Sequence, residues 1–194
     1  MNAINTNAIN VIVIISSPNK EGLTAACAIA AAEGARMASG IVEQVWLNDL
    51  EIGLCQACND GWGTCRTEHR CQVEDDFQAL HRRICQADAY VLATPVYFGE
   101  MSESAKAFTD RLRRCEATRD EDDQEGMLGK PFIALAAAGD SGEGTVTCLL
   151  SIERWIYHVR AQTFNLIPVN RWSREYKLVA IQETARAMVQ EAMM

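Results

Sequence analysis

Five short runs of β-branched and other apolar residues, each followed by a segment of helical length, constrain this chain more than any other feature. The runs are Asn10 to Ile15, Ile41 to Trp46, Ala89 to Ala93, Phe132 to Ala137 and Phe164 to Val169. They are short enough, and apolar enough, to be strands buried on both faces. The segments that follow them are Leu23 to Ser39, Asp75 to Gln86, Ser102 to Glu116, Thr145 to Arg160 and Arg174 to Met193. In the last of these, Leu178, Ile181, Ala185 and Met188 share one face, as a helix docked on a core requires. The alternation predicts a doubly wound α/β fold, a parallel sheet of five strands in the order 2-1-3-4-5 between two helical layers joined by right-handed crossovers. Ligands bind such a sheet beyond the carboxyl ends of the strands, where the first and third part company. The loops after Ile15, Ala93 and Ala137 are therefore the expected site.

With 194 residues, 48% of them hydrophobic and 23% charged, the chain is expected to form one domain over residues 1–194. A formal charge of -8 without a basic patch argues against nucleic acid or an anionic membrane as partner. The apolar stretch "INVIVII" is too short to span a bilayer and has neither a basic leader nor a small-residue cleavage site, so a cytoplasmic protein is expected. A reducing cytosol disfavours stable disulfides among its eight cysteines. The charge run "EATRDEDDQEG", Glu116 to Gly126, reads as a solvated loop leading into the fourth strand.

The first loop is "SSPNKEGLT", Ser16 to Thr24, which ends where a helix begins. Helix N-terminal N–H groups, the Ser17 and Thr24 hydroxyls and the Asn19 amide suit a terminal phosphate, or merely turn and cap the chain. Neither GxGxxG nor GxxxxGK[ST] is present, which disfavours dinucleotide and nucleoside-triphosphate loops. The second loop, "ATPVYFGEMSES", puts Tyr97, Phe98 and Gly99 at the crevice, where aromatics beside exposed amides suit a planar heterocycle. The third, "AAAGDSGEGT", carries glycines that let backbone approach a ligand.

"SSPNKEGLT" resembles the SPxxxGxT phosphate loop, and "TPVYFGEMSESAKAFTDR" the TPxYxxxxSxxxKxxxDR stretch, of the NADPH-dependent FMN reductase and iron–sulfur flavoprotein family. "LGKPFIAL" before the third loop matches as well. The resemblance implies a flavodoxin-like fold and non-covalent FMN, its phosphate on Ser17, Asn19, Gly22, Leu23 and Thr24. The isoalloxazine would lie against Pro95, Val96, Tyr97, Phe98 and Gly99, with Ala138, Gly139 and Asp140 beside it. The resemblance also implies a homodimer or homotetramer in which a neighbouring subunit helps close the flavin site.

A cysteine-rich loop, residues 54–74, follows the second strand. Its spacing is C-x2-C-x6-C-x5-C over Cys55, Cys58, Cys65 and Cys71. Relatives with a cluster carry C-x2-C-x2-C and a later fourth cysteine, ending in an acidic pair that Asp75 and Asp76 match. The middle gap here is longer, filled by "NDGWGT". A [4Fe–4S] cluster, a structural zinc and free or redox-active thiols all remain open on spacing. Asp75 and Asp76 are expected as helix caps, and Cys27, Cys85, Cys115 and Cys148 as small core residues. Asp110 and Arg111 read as a structural ion pair, His69 as a surface residue, and His81 and His158 as helical residues without an evident partner. Trp62 is a candidate lid over the flavin or cluster.

Two functions follow from the resemblance. In the first, NAD(P)H reduces FMN, which passes the electrons to a small acceptor such as a quinone, a nitro or azo compound, free flavin or oxygen. In the second, a ferredoxin supplies single electrons through a [4Fe–4S] cluster to FMN. A third reading is a thiol or zinc redox sensor on the same scaffold. No catalytic side chain is singled out, because a flavin carries such chemistry itself.

Overall fold

The computed structural model of the chain describes residues 8–120, 123 and 125–194, so Glu121, Asp122 and Gln124 of the charge run lie outside the described residues. In chain order the elements are β1 (Asn10–Ile15), α1 (Leu23–Met37), β2 (Ile41–Trp46), the single turns α2 (Cys58–Gly61) and α3 (Thr64–Thr67), and α4 (Asp76–Gln86). There follow β3 (Ala89–Tyr97), β4 (Glu100–Met101), α5 (Glu103–Glu116), β5 (Pro131–Ala138), α6 (Thr145–His158), β6 (Gln162–Asn170) and α7 (Arg174–Ala192).

The main strands run parallel in the order β2-β1-β3-β5-β6, and β4 pairs antiparallel with β3. This corrects the expected count of five strands to six among the described residues. The parallel path has the expected order, and the extra strand is a two-residue hairpin arm that carries no β-branched run to announce it. A second correction is that β3 continues past Ala93 to Tyr97.

The sheet separates two apolar layers by the period of two that a strand imposes. Ile12 and Ile14 of β1 face Phe77, Leu80 and Ile84 of α4, Phe108 and Leu112 of α5, and Trp155 of α6. Val11, Val13 and Ile15 face the alanine-rich α1 and the Ile181, Ala185, Met188 and Val189 stripe of α7. Small residues on α1 let α7 come close, and Gly34 is a point of close approach: a Cβ there would lie 1.9 Å from the Gln182 carbonyl oxygen. Gly34→Ala is therefore expected to force the two helices apart and destabilise the protein by about 2 kcal/mol, in the range of overpacking changes. Denaturant midpoints measure it, and an unchanged midpoint would show that the interface adjusts freely.

Candidate functional site

The loops after β1, β3 and β5 meet at the carboxyl end of the sheet. Ile15 of β1 pairs with Ala93 of β3, and the Ser16 N–H then donates to the Ala93 carbonyl at 3.0 Å. The chain turns at once, with the Asn19 N–H donating to Ser17 Oγ at 3.2 Å and the Glu21 N–H to Asn19 Oδ1 at 3.0 Å. That turn leads into α1, where Gly22 occupies the N-cap and no side chain caps the helix. The first-turn N–H groups and the positive end of the dipole thus stand free of a local acceptor. Leu23 opens the helix, and the Ser17 and Thr24 side chains are buried beside it. A Cβ on Gly22 would press on Asn19 Nδ2 at 3.1 Å, so glycine keeps this cradle open.

The Ala93 carbonyl faces β1, so Pro95, two residues on, also turns its nitrogen to that side. Since β1 has already ended, the missing N–H of proline costs no ladder bond. Val96 and Tyr97 pair with Met101 and Glu100, which leaves Phe98 and Gly99 as the hairpin turn. Their φ values are 52 and 79°, the double positive φ of a primed hairpin turn. A phenylalanine there costs about 1 kcal/mol of backbone strain. Its side chain is fully exposed at the crevice, with Tyr97 partly exposed beside it.

The third loop clamps onto this hairpin. A Cβ on Gly144 would lie 2.7 Å from Gly99 Cα, and Thr147 Oγ1 donates to the Gly99 carbonyl at 3.0 Å. Ala138 ends β5, Gly139 has open space where a Cβ would be, and Asp140 is exposed 3.5 Å from Arg171. Ser102 Oγ and Ser104 Oγ both donate to the Ser16 carbonyl, at 3.0 and 3.2 Å, and tie the start of α5 to the first loop.

The cysteine loop leaves β2 and returns at α4. Ala57, Asn59 and Asp60 take left-handed φ values of 44, 47 and 58° on either side of Cys58. Cys55, Cys58, Cys65 and Cys71, half-buried and unpaired, line one small cavity together with Arg111 and Arg114. The Arg111 side chain is wholly buried. Its Nη1 donates to the Gly53 carbonyl at 3.1 Å and to the Asp75 carboxylate, and its Nη2 to Cys71 Sγ at 3.4 Å and the Val73 carbonyl at 3.0 Å. One guanidinium, stacked 4.4 Å from the Phe77 ring centre, thereby holds both ends of the loop. Its Nε is buried without a partner among the described residues. Asp75 caps α4 through the Phe77 N–H and also accepts from the Gly53 N–H, each at 3.0 Å. Burial alone would raise the Asp75 carboxyl, but Arg111 and these two N–H groups hold it below its ordinary 3.8. Asp76 Oδ2 accepts from the Glu51 N–H at 2.7 Å.

Several expectations about ionisable groups are overturned. Asp110 and Arg111 do not pair: Asp110 bonds Lys106 one turn back, while Arg111 points the other way, to Asp75. His81 has a partner, Glu116, with Nε2 and Oε1 2.6 Å apart. Burial alone would lower the His81 pKa, but hydrogen bonding to Cys85 and Glu116 raises it to about 9. Glu116 itself is buried and so is most of Arg119, so the start of the charge run belongs to the interior. Cys27, Cys115 and Cys148 are core residues as expected, and burial pushes the Cys27 and Cys148 thiols up to about 12. Cys85 is only half-buried. Trp62 faces the Arg114 guanidinium at 4.9 Å, a contact within the cysteine loop's surroundings. His69 Nδ1 lies 3.1 Å from Thr118 Oγ1, which ties the loop to the end of α5.

The sequence pattern of the NADPH-dependent FMN reductases matches residues 9–166. The chain belongs to this family. The matched range takes in all three loops at the sheet end and the whole cysteine loop. An iron–sulfur flavoprotein of Methanosarcina thermophila is 28% identical over 131 residues, covering 66% of this chain and 62% of that protein. One of Methanocaldococcus jannaschii is 36% identical over 104 residues, 53% of this chain and 51% of that protein. The chain thus spans about three-fifths of the first of these relatives and half of the second. Among solved structures, an NAD(P)H:quinone oxidoreductase from Methanothermobacter marburgensis superposes with a TM-score of 0.70 at 16% identity, over 94% of this chain and 96% of that one. At that identity the likeness shows the fold. The chain has no helix, among its described residues, long and apolar enough to cross a membrane.

Proposed function

We propose that this protein is an FMN-dependent oxidoreductase that takes up single electrons through an iron–sulfur centre in its cysteine loop. The observation that carries this reading is the convergence of Cys55, Cys58, Cys65 and Cys71 on one cavity with two arginines, at the edge of an FMN reductase fold. Among the described residues, His81, Cys85 and Glu116 are the group that brings three ligand atoms within 4.8 Å of one another, and the loop cysteines are not. Four thiolates on one cavity suit either centre by ligand type, and the iron–sulfur flavoproteins among the relatives favour the cluster. Arg111 offers Cys71 a charge-assisted hydrogen bond, and the cationic pair Arg111 and Arg114 offsets the negative charge of a thiolate-bound centre.

When bound, FMN would supply hydride and one-electron chemistry, and the cluster one-electron transfer. The chain's own part is to bind, orient and shield. The uncapped start of α1 with Ser17, Asn19, Gly22, Leu23 and Thr24 would hold the phosphate. Pro95 to Gly99 would flank the ring, with Ala138 to Asp140 at its edge, and the hairpin N–H groups would meet negative charge developing there. Thr24→Val keeps the side chain's shape and removes one donor to the phosphate. It is expected to weaken FMN binding about tenfold, measured by flavin fluorescence, and equal affinity would count against the phosphate site.

The deciding experiment is the absorption spectrum of protein purified without oxygen, with iron, sulfide and zinc measured on the same sample. Flavin bands over broad iron–sulfur absorption, with iron and sulfide equal, are expected. Flavin without iron would overturn the cluster and leave a nicotinamide-driven FMN reductase with a small acceptor, the second reading that the family supports. For the iron-containing protein, reduction by ferredoxin but not by NAD(P)H separates the donors.

A further inference from the structure

A second group of ligand-type side chains lies toward the C-terminal ends of α4 and α5, apart from the four loop cysteines. His81 and Cys85 stand four residues apart on α4 and so share one face. Glu116, the last residue of α5, reaches across to both. His81 Nε2 is 2.6 Å and Cys85 Sγ 3.9 Å from the same oxygen, Glu116 Oε1. The other carboxylate oxygen is already committed, with Arg119 Nε and the Met127 N–H both donating to Oε2 at 3.2 Å. Those two donors fix the carboxylate so that Oε1 faces the imidazole and the thiol. The three ligand atoms all lie within 4.8 Å of one another, with His81 and Glu116 buried and Cys85 half-buried. His81 and Cys85 also border an open cavity lined by His69 and Arg119, which gives an ion a way in and a water a place to sit.

We propose that His81, Cys85 and Glu116 form a binding site for a zinc-class divalent cation, with the fourth position open to this cavity. A nitrogen, sulfur and oxygen set of this kind suits Zn(II) or Co(II) and excludes the hard cations Mg(II) and Ca(II). With bonds of about 2.0 to 2.3 Å, ligand atoms sit roughly 3.3 to 3.8 Å apart. Small side-chain rotations reach this from the observed separations. Thiolate and carboxylate together neutralise the dication, and the proton on Cys85 and any on His81 Nε2 pass to water. Arg119 lies 3.6 Å from Cys85 Sγ but stays anchored on Glu116 Oε2 and on Asp123, at 2.8 Å, so it acts as a hydrogen-bonding support behind the ligands. The ion would clamp α4 to the end of α5. This inference stands independently of the flavin and the cluster.

The test is anaerobic titration of the full chain with Co(II), and with Zn(II) against a chromophoric chelator. A variant with Cys55→Ser, Cys58→Ser, Cys65→Ser and Cys71→Ser removes the competing loop ligands. It is expected still to bind one ion with a thiolate-to-cobalt charge-transfer band. Adding Cys85→Ser to that variant, an isosteric change at a half-buried position, is expected to abolish the band and weaken Zn(II) about 100-fold or more, with thermal melting as the folding control. In the unmutated protein, Zn(II) is expected to slow alkylation of Cys85 at least tenfold, read by peptide mass. Zn(II) affinity unchanged by Cys85→Ser, no binding by the loop variant, or Cys85 labelling indifferent to Zn(II) would each overturn the site.

Discussion

Arg111→Met is expected to destabilise the protein by about 3 kcal/mol and to release the cysteine loop from the α/β body. The substitution keeps an apolar stem over Phe77 but removes the guanidinium that joins the Gly53 and Val73 carbonyls to Asp75 and Cys71. Breaking a buried ion pair from one side costs roughly 3 to 5 kcal/mol, because the remaining charge is left without its partner. Asp75 keeps the Gly53 and Phe77 N–H donors, so the lower end applies. For a chain of this size that corresponds to a fall of roughly 6 to 12 °C in melting temperature. The four loop cysteines should be alkylated faster in the variant. The pH dependence has a definite sign. Asp75 has its folded pKa held below 3.8, so its contribution is complete above that value and is lost as pH falls through the lowered one. The difference between parent and variant should therefore be full at neutral pH and narrow as pH falls below 3.8 through the lowered value, leaving the part due to the Gly53, Val73 and Cys71 contacts. Equal melting temperatures at pH 7 would mean that Arg111 does not hold the loop.

Cys58→Ser combined with Cys65→Ser is expected to remove iron and sulfide to background while leaving the flavin content unchanged. Each change takes one thiolate from a different half of the C-x2-C-x6-C-x5-C set, and serine is a poor ligand for a soft cluster iron. The flavin is expected to stay because its candidate loops follow β1, β3 and β5, whereas the cysteines lie between β2 and α4. Metal analysis and flavin absorbance on one anaerobic sample measure both. Iron retained in the variant would refute the ligand assignment, and loss of flavin with iron would show the two sites to be structurally coupled.

Much of the scaffold was readable because its signals are local. β1 and β2 have the expected bounds, Asn10–Ile15 and Ile41–Trp46, since a β-branched run between helical segments has few other ways to be buried. The stripe on α7 buries Ile181, Ala185 and Met188 as its period requires. β3 runs on past Ala93 because Pro95, a residue that ordinarily interrupts a sheet, is harmless where the neighbouring strand has stopped. His81 could have been noticed, since His81 and Cys85 are one helical turn apart. Their acceptor, Glu116, sits in a run whose composition resembles a solvated loop.

The sequence by itself determined the β–α alternation, the order of the parallel strands, the loops that form the sheet-end crevice and the family. Local periodicity, β-branching and turn residues act over a few neighbours, and the crossover rule then leaves one simple topology. The tertiary structure alone decided that Arg111 reaches back to Gly53 and Cys71, that Glu116 meets His81 and Cys85, and that Gly34 lies against Gln182. Those partners are far apart along the chain. Which charge is buried, and against what, depends on which faces the packed helices bring together, and no local pattern encodes that.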